Sequence, residues 1–291
     1  MKKLLRKTIP QNQRRQLRGM VDAMGQWADR MAGHAVNILP PGIKVFLKSH
    51  LKVVKRMDYS KGRILLDVAS SMEYRVRTNS CRKEPETVEW IETFFKDKDV
   101  FFDIGANVGA YSLLAAAYFK GKVPVYAFEP SFLNFPRLCN NIHINGFQGT
   151  ITPFNIAFSD KTAVDYFNYR NLIIGGATHT LGEAKDEHNH SFVPAYRQAT
   201  LAYAMDEFIK QLNLPVPQHI KLDVDGNEWV ILQGARRTLQ NPLMKSLLIE
   251  LGEEDTKIPK FLEENGFSLH AKYPQGVPEA KLSNCIFRKN H

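Results

Sequence analysis

The stretch DIGANVG at residues 103–109 is the part of this sequence best suited to hold a charged ligand. It follows three apolar residues, Val100, Phe101 and Phe102, which predict a short buried strand. Glycine lets a backbone approach a ligand closely, and the free amides of a following helix can hold a carboxylate. In an open α/β sheet, ligands bind beyond the carboxyl ends of the strands. The residues expected to contact the ligand here are Asp103, Gly105, Ala106, Asn107 and Gly109.

Glu129 ends the next apolar segment and could accept hydrogen bonds from both hydroxyls of a ribose. Dinucleotide-binding turns need a second glycine where Asn107 stands, because that glycine admits the pyrophosphate. A methyl donor has no pyrophosphate and needs an acid for its amino group and amides for its carboxylate. The sequence therefore favours S-adenosyl-L-methionine over NAD as the cofactor, with Ala157 and Phe158 expected to edge the adenine pocket.

Three charged residues, Lys221, Asp223 and Asp225, alternate along an apolar segment and are expected to share one face of a strand. Asp225 is the first candidate for a general base, which a hydroxyl acceptor would need. Lys221 and Asp223 are candidates for the same catalytic group or, equally, for an internal salt bridge that positions the loop.

Two further interpretations of the catalytic residues stay open. His179, in a long polar stretch, is a second candidate base, although a solvated loop histidine is the simpler interpretation. Asp223, Asp225 and Glu250 carry the oxygen ligands that Mg²⁺ prefers, but carboxylates at strand ends are also common without metal. We expect a site without a metal.

The elements that must position these residues alternate between apolar strands and helical stretches from residue 99 onward. Such alternation predicts an α/β fold, a doubly wound and mostly parallel sheet with helices on both faces. Residues 99–291 are therefore expected to form the catalytic domain. Residues 59–98 are expected to form a β-hairpin, from strands at 63–68 and 73–77, and a helix that leads into the core. The polar residues 171–198 are expected to form a mobile lid.

Charge is concentrated at the N-terminus, since residues 1–60 hold 13 of the 39 Lys and Arg but only three of the 30 Asp and Glu. Met20, Met24, Trp27 and Met31 stand at helical spacing, so residues 1–58 are expected to form a basic, partly amphipathic helical extension. This extension either docks on its own domain or contacts an anionic membrane or an acidic partner. No signal peptide or long apolar span is recognised, and the three cysteines are widely spaced, which favours the cytoplasm, with peripheral membrane contact as an option.

The segment from about residue 84 to 251 resembles the FkbM-type methyltransferases. The resemblance lies in DIGANVG at 103–109, in Glu129-Pro130, in NIAFSD at 155–160, in IKLDVDGNE at 220–228 and in LQGA at 232–235. Family members usually carry Glu at the position of Asp225, and Leu-Asp where this chain has Met205-Asp206. The resemblance implies a Rossmann-like, seven-stranded form of the fold. It also implies methyl transfer from S-adenosylmethionine to a hydroxyl of a small metabolite, a glycan or a lipid-linked sugar.

Three other functions can be weighed against this one. The basic N-terminus would suit a nucleic-acid methyltransferase, but the chain lacks a Pro-Cys nucleophile, an Asn/Asp-Pro-Pro-aromatic motif and aromatic residues among the basic ones. A non-catalytic binding platform could retain the fold, and a donor-binding measurement would distinguish it. Asn107 disfavours a dehydrogenase.

Overall fold

A computed structural model of the chain describes residues 37–177, 179–185, 190–275 and 282–290. The chain divides into two compact units, residues 1–52 and residues 53–291. The helices of the second unit are Ser71–Arg75 (α2), Ser80–Lys83 (α3), Pro85–Phe94 (α4), Ala110–Tyr118 (α5), Phe135–Ile144 (α6), Met205–Gln211 (α7), Glu228–Gln233 (α8), Arg236–Gln240 (α9) and Lys257–Glu264 (α10). A 3₁₀ turn covers Arg77–Asn79.

In the first unit the structure describes the helix Pro41–His50 (α1), which has no buried side chain. Ile43, Val45 and Phe46 on this helix are exposed. The expected amphipathic helix around Met20–Met31 and the basic residues before it lie outside the described residues. Contact of this region with a membrane or an acidic partner stays a prediction. Within the described residues, no helix combines the length and apolar character needed to cross a bilayer.

A seven-stranded, mostly parallel sheet forms the centre of the second unit, as the sequence predicts. Its strands are Phe101–Ile104 (β3), Val125–Phe128 (β4), Ile151–Phe154 (β5), His219–Leu222 (β10), Ser246–Gly252 (β11), Phe267–Pro274 (β12) and Leu282–Lys289 (β13). The spatial order is β12-β13-β11-β10-β3-β4-β5, with β13 antiparallel to both of its neighbours. After β3, the chain adds β4 and β5 on one side of this strand, and it later returns to place β10 on the other side. The carboxyl ends of β3 and β10 therefore border the crevice where ligands bind in such sheets.

Hydrophobic residues on both faces of this sheet are covered by helices, which confirms the doubly wound arrangement. Phe101 and Phe102 are adjacent and fully buried, and their side chains enter opposite cores. The first core includes Trp90 of α4 and Leu113 of α5, and the second includes residues of α7 to α10. Both faces of β3 are thus packed, which holds the residues that follow it in place.

A second, four-stranded sheet is formed by Ala157–Ser159 (β6), Ala163–Tyr169 (β7), Thr180–Leu181 (β8) and Tyr196–Ala204 (β9), in the order β6-β9-β7-β8. β5 and β6 are close in sequence but belong to different sheets. The sequence predicted a lid over residues 171–198, whereas β8 and the start of β9 are paired with β7. The antiparallel pairing of β7 with β9 explains the difference, because it joins residues that are distant in sequence.

The expected hairpin at residues 63–68 and 73–77 is wrong in its second strand. Leu65–Asp67 (β2) pairs instead with the preceding Val54–Arg56 (β1), and residues 71–75 are helical. The cause is a capping box: Ser70 accepts from the Glu73 backbone amide at 3.0 Å, and the Glu73 carboxylate accepts from the Ser70 amide at 3.0 Å. The division at residues 58 and 98 stays a prediction, although the compact unit itself begins at Val53.

Candidate active site

The turn after β3 is held against β4 by its own backbone. The amides of Gly105 and Ala106 both donate to the carbonyl oxygen of Phe128, at 3.0 Å each. Gly105 and Gly109 have φ of +80° and +89°, a region that glycine enters without steric cost. A Cβ on Gly105 would lie 1.9 Å from the Asp223 carbonyl oxygen, and one on Gly109 would lie 2.6 Å from a methyl carbon of Leu138. Close packing against backbone therefore requires glycine at position 105, whereas at position 109 the left-handed backbone and a tight side-chain contact favour it.

Asp103 lies at the floor of this turn and is 1% exposed. Its Oδ2 accepts a hydrogen bond from Ser112 at 2.5 Å, while its buried Oδ1 has no hydrogen-bond partner in the described part of the chain. Burial raises the pKa of this carboxyl above its usual value, although the nearby Lys221 opposes the rise. A buried acceptor without a partner is costly unless a ligand donates to it, and an amino group would do so.

Glu129 follows β4 and is 5% exposed. Its two carboxylate oxygens accept from the backbone amides of Asn107 and Ser131, at 2.8 Å and 2.9 Å. Burial raises its pKa to about 7, against the effect of those two hydrogen bonds. Each oxygen keeps a lone pair for a further donor, so the geometry suits the ribose hydroxyls that the sequence assigned to this residue.

An apolar slot opens beside the turn. The residues that line it include Gly105, Pro130, Ala157, Phe158, Val224, Asn227 and Ile231. Ala157 and Phe158, the residues expected to edge the adenine pocket, therefore face the same slot as the turn. Its apolar lining suits a heterocycle such as adenine.

A segment of the expected lid, residues 173–177, is hydrogen-bonded across the turn; we call it the strap. Asn107 Nδ2 donates to the Gly176 carbonyl oxygen at 2.8 Å, and the Gly175 amide donates to Asn134 Oδ1 at 2.9 Å. Ser70 Oγ donates to the Ile174 carbonyl oxygen at 2.7 Å. Asn107, which stands where a dinucleotide turn would have glycine, thus connects the turn to the strap.

Lys221 and Asp223 form an ion pair, with Lys221 Nζ 2.6 Å from Asp223 Oδ2. Burial alone would lower the pKa of Lys221, but the carboxylates of Asp223, Glu84 and Asp103 raise it above its usual value. The expected alternation along a strand is wrong for the two aspartates, because β10 ends at Leu222. Asp225 lies in the turn that follows, with φ of 56°.

Four carboxyl groups stand at this end of β10 and β11: those of Asp223, Asp225, Glu228 and Glu250. Glu228 accepts from the amides of Val224 and Gly226 at 3.4 Å and 3.3 Å, and burial raises its pKa to about 7. Burial and the charges of Asp223 and Asp225 raise the pKa of Glu250 to about 8. Titratable groups whose pKa values lie near neutrality are typical of catalytic sites.

Asp225 also lines a cavity of about 390 Å³ that adjoins the apolar slot, together with Asp160, Lys161 and Lys185. Thr180 lines the same cavity, whereas His179 does not. His179 is 5% exposed, and its ring centroid lies 4.9 Å from that of Tyr169 and 6.0 Å from that of Phe167. A solvated loop position for His179 is therefore wrong, because the residue belongs to the aromatic wall of the second sheet.

Among the described residues, no group of three or more His, Cys, Asp or Glu side chains is arranged to hold a metal ion. The absence of a metal requirement stays a prediction, and chelation tests it.

A profile of the family described as "Methyltransferase FkbM domain" matches residues 103–269, more than half of the chain. The match begins at Asp103 and includes the turn, Glu129 and the carboxylates that follow β10. The chain belongs to the FkbM methyltransferase family. The resemblance found in the sequence is thereby confirmed.

Known proteins similar to this FkbM methyltransferase include one curated relative and several solved structures. The hexuronic acid methyltransferase AglP of Haloferax volcanii is 24% identical over 194 residues, which cover 67% of this chain and 74% of AglP. The TYW2 protein of M. jannaschii, solved with AdoMet, has a TM-score of 0.43 and 14% identity over 82% of this chain and 87% of its own. The precorrin-6y C5,15-methyltransferase of Geobacter metallireducens has a TM-score of 0.42 and 14% identity over 71% and 87% of the two chains.

S-adenosylmethionine is the cofactor of this family, and the described residues of this FkbM methyltransferase fit it. The unpartnered Asp103 Oδ1 suits the amino group, and Glu129 suits the ribose. A Cβ at position 105 would collide with the Asp223 carbonyl oxygen, so glycine lets the cofactor turn lie directly against the loop that follows β10.

Sequence reasoning missed several residues that the structure brings to this site. Arg77 and Glu84 precede the family match, and Tyr111 and Glu228 were assigned no role. Tyr111 is buried, its hydroxyl donates to the Ser80 carbonyl oxygen at 3.2 Å, and Lys221 Nζ lies 5.1 Å from its ring centroid. Of these residues, only Glu228 could have been recognised in the sequence, because it is an acid in the first turn of a helix that follows the other carboxylates.

Proposed function

We propose that this protein transfers a methyl group from S-adenosylmethionine to an oxygen atom of a sugar, with hexuronic acids and glycans that contain them as the first candidate acceptors. The observation that carries the proposal is the carboxyl group set Asp223, Asp225, Glu228 and Glu250 beside the cofactor turn. An oxygen acceptor gains from a general base, whereas a thiolate or a carbanion acceptor would call for other residues. The activity of AglP on a hexuronic acid supports the same class of acceptor.

The proposed roles of the residues follow from their contacts. When bound, the cofactor supplies an electrophilic methyl group on a positively charged sulfur. Asp103, Gly105, Ala106, Asn107, Gly109 and Glu129 hold its amino acid and ribose, and Ala157 and Phe158 pack on its adenine. Lys221 holds Asp223 by their ion pair and so fixes the loop that carries Asp225.

Asp225 is the proposed base. As the bond between the acceptor oxygen and the methyl carbon forms, the carbon–sulfur bond breaks and its electron pair stays on sulfur. Asp225 takes the hydroxyl proton and later releases it to water. Much of the rate comes from holding the acceptor oxygen in line with the methyl group. A base adds about 10²–10⁴-fold.

A hexuronic acid offers two kinds of oxygen, and they make different demands on the site. A hydroxyl must lose its proton during transfer and gives an ether. A carboxylate is already ionised near neutral pH, needs no base and gives an ester. The carboxyl groups near Asp225 favour the hydroxyl.

Mass spectrometry with a deuterium-labelled methyl donor tests the proposal. Glucuronic acid, glucose and lipid-linked glycans are incubated with the protein, and a labelled product is expected from at least one of them. Mild alkali then releases methanol from an ester and leaves an ether intact. Absence of label in all sugars, together with label in a nucleic acid, a protein or a thiol, would contradict the proposal.

A further inference from the structure

Arg77 lies outside the family-matched segment and is hydrogen-bonded to the strap. It opens the 3₁₀ turn Arg77–Asn79 and is half-buried. Its Nε donates to the Gly175 carbonyl oxygen of the strap at 2.8 Å. The next strap residue, Gly176, accepts from Asn107, and the Asn107 amide donates to Glu129. A continuous set of hydrogen bonds therefore connects Arg77 to the turn and to Glu129.

The remaining donors of this guanidinium have no protein acceptor in the described part of the chain. Arginine carries five N–H groups in a planar fork, and only the one on Nε is bonded to the strap. The fork matches a carboxylate, which it can bind through two parallel hydrogen bonds. Anchoring through Nε fixes the plane of the fork, so less rotational freedom would be lost when a ligand binds.

The guanidinium lies close enough to three residues of the site for its charge to act on them. The charge of Arg77 is one of the influences that lower the pKa values of Glu129, of Tyr111 and of Asp223, against the larger effect of burial. These three residues come from the end of β4, from α5 and from the end of β10. Neither carboxylate uses Arg77 as a hydrogen-bond partner, because Glu129 binds backbone amides and Asp223 binds Lys221.

We infer that Arg77 binds the carboxylate of a ligand in this cleft, an assignment that rests on the proposed methyl transfer. Two ligands could supply that group: the amino acid part of the methyl donor, or an acidic sugar as the acceptor. In the first case Arg77 closes the donor site from above the turn. In the second it selects uronic acids over neutral sugars.

Calorimetry with two adenosine ligands separates these sources. S-adenosylhomocysteine has the carboxylate, and 5′-methylthioadenosine lacks it. If the donor is the source, Arg77→Met should weaken S-adenosylhomocysteine by at least about tenfold, the effect of one charged hydrogen bond, and leave 5′-methylthioadenosine unchanged. Arg75→Met is the matched control, because Arg75 is exposed two residues earlier.

The acceptor arm uses D-glucuronate and D-glucose, added to protein saturated with S-adenosylhomocysteine and followed by ligand-observed NMR. If the acceptor is the source, Arg77→Met should weaken glucuronate by at least about tenfold and leave glucose unchanged. Arg77→Lys keeps the charge without the fork. In the experiment that shows an effect, it should therefore lose less ligand affinity than Arg77→Met. If Arg77→Met fails to fold, Arg77→Lys carries the same comparison.

Unchanged affinity for both S-adenosylhomocysteine and glucuronate in a folded Arg77→Met variant would overturn the inference. All these measurements are equilibrium affinities and need no turnover. A protein that methylates no sugar but loses ligand affinity on Arg77→Met would therefore count against the proposed function and support the role of Arg77.

Discussion

At the scale of single residues, the acids of the site differ in what neutralises them. Asp223 has the Lys221 ammonium at 2.6 Å. Burial would raise the pKa of this aspartate, but the charge and hydrogen bond of Lys221, with the charges of Lys83 and Arg77, bring the pKa below the usual value. Glu228 and Glu250 have no such partner, and burial raises their pKa values to about 7 and about 8. An ion pair with one buried partner holds a loop in place, whereas acids that titrate near neutrality can exchange protons. This contrast supports the proposal that Lys221 and Asp223 position the loop and that the proton is taken by an acid outside this pair.

Asp225→Asn should keep the affinity for S-adenosylhomocysteine and lower kcat by at least about 10²-fold, because the amide cannot accept the proton. Asp160→Asn is the control, since Asp160 lines the same cavity. Near-normal turnover of Asp225→Asn would remove the base role.

EDTA should not inhibit the wild type, and loss of activity in EDTA that Mg²⁺ restores would favour a metal on Asp223, Asp225 and Glu250.

Glu129→Gln should weaken the binding of S-adenosylhomocysteine by about 1.5–3 kcal/mol, the scale of a hydrogen bond to a charged group. The same substitution also removes one acceptor for the amides that shape the turn. Isothermal titration calorimetry measures the change, with Glu253→Gln at an exposed position as the control. Equal affinity in a folded Glu129→Gln variant would exclude this carboxylate from the ribose site.

At the scale of elements, the junction of β3 with α5 is the most constrained place in the site. Gly105 and Gly146 both have positive φ, +80° and +73°, but only Gly105 is enclosed. Alanine at either position costs about 1–2 kcal/mol for the left-handed backbone. The Cβ of Gly105→Ala would also lie 1.9 Å from the Asp223 carbonyl oxygen, while nothing lies within 4 Å of one at Gly146.

Gly105→Ala should therefore lose S-adenosylhomocysteine binding and more stability than Gly146→Ala. Denaturant unfolding and calorimetry of the two variants isolate the contact from the shared backbone cost. Equal losses of stability together with normal ligand affinity in Gly105→Ala would show that the turn and the Asp223 loop are free to separate.

Elements whose residues are contiguous were predictable from the sequence, and elements that depend on distant partners were not. The strand, turn and helix around Asp103 and Glu129 follow from apolar runs and glycines, which act locally. β7 and β9 pair across residues 170–195, so the second sheet has no local pattern. Arg77 contacts the site through residues 173–177, and its carbonyl partner, Gly175, carries no side chain that could signal the contact.

At the scale of the whole molecule, the buried acids make stability depend on pH. Unfolded glutamates lose their protons near pH 4.5, whereas Glu129 and Glu228 hold theirs to about pH 7 and Glu250 to about pH 8. Between these values the folded state binds more protons than the unfolded state, so stability falls as pH rises. His219 acts in the opposite direction below pH 6.5, because burial lowers its pKa, but it is one group against three.

The free energy of unfolding should therefore be lower at pH 8 than at pH 5.5 by at least about 1.4 kcal/mol, the equivalent of one pKa unit. Urea unfolding at a series of pH values measures it. Glu250→Gln should flatten the profile above pH 6, because an amide does not titrate, whereas Glu253→Gln should not. Hydrogen bonds from a ribose favour the ionised form of Glu129, so the rise in Tm given by S-adenosylhomocysteine should grow between pH 5.5 and pH 8. An unfolding free energy that rises with pH would mean that these carboxyl groups are already ionised and solvated in the protein without its cofactor. A ligand-induced rise in Tm that is the same at pH 5.5 and pH 8 would place Glu129 outside the ribose site.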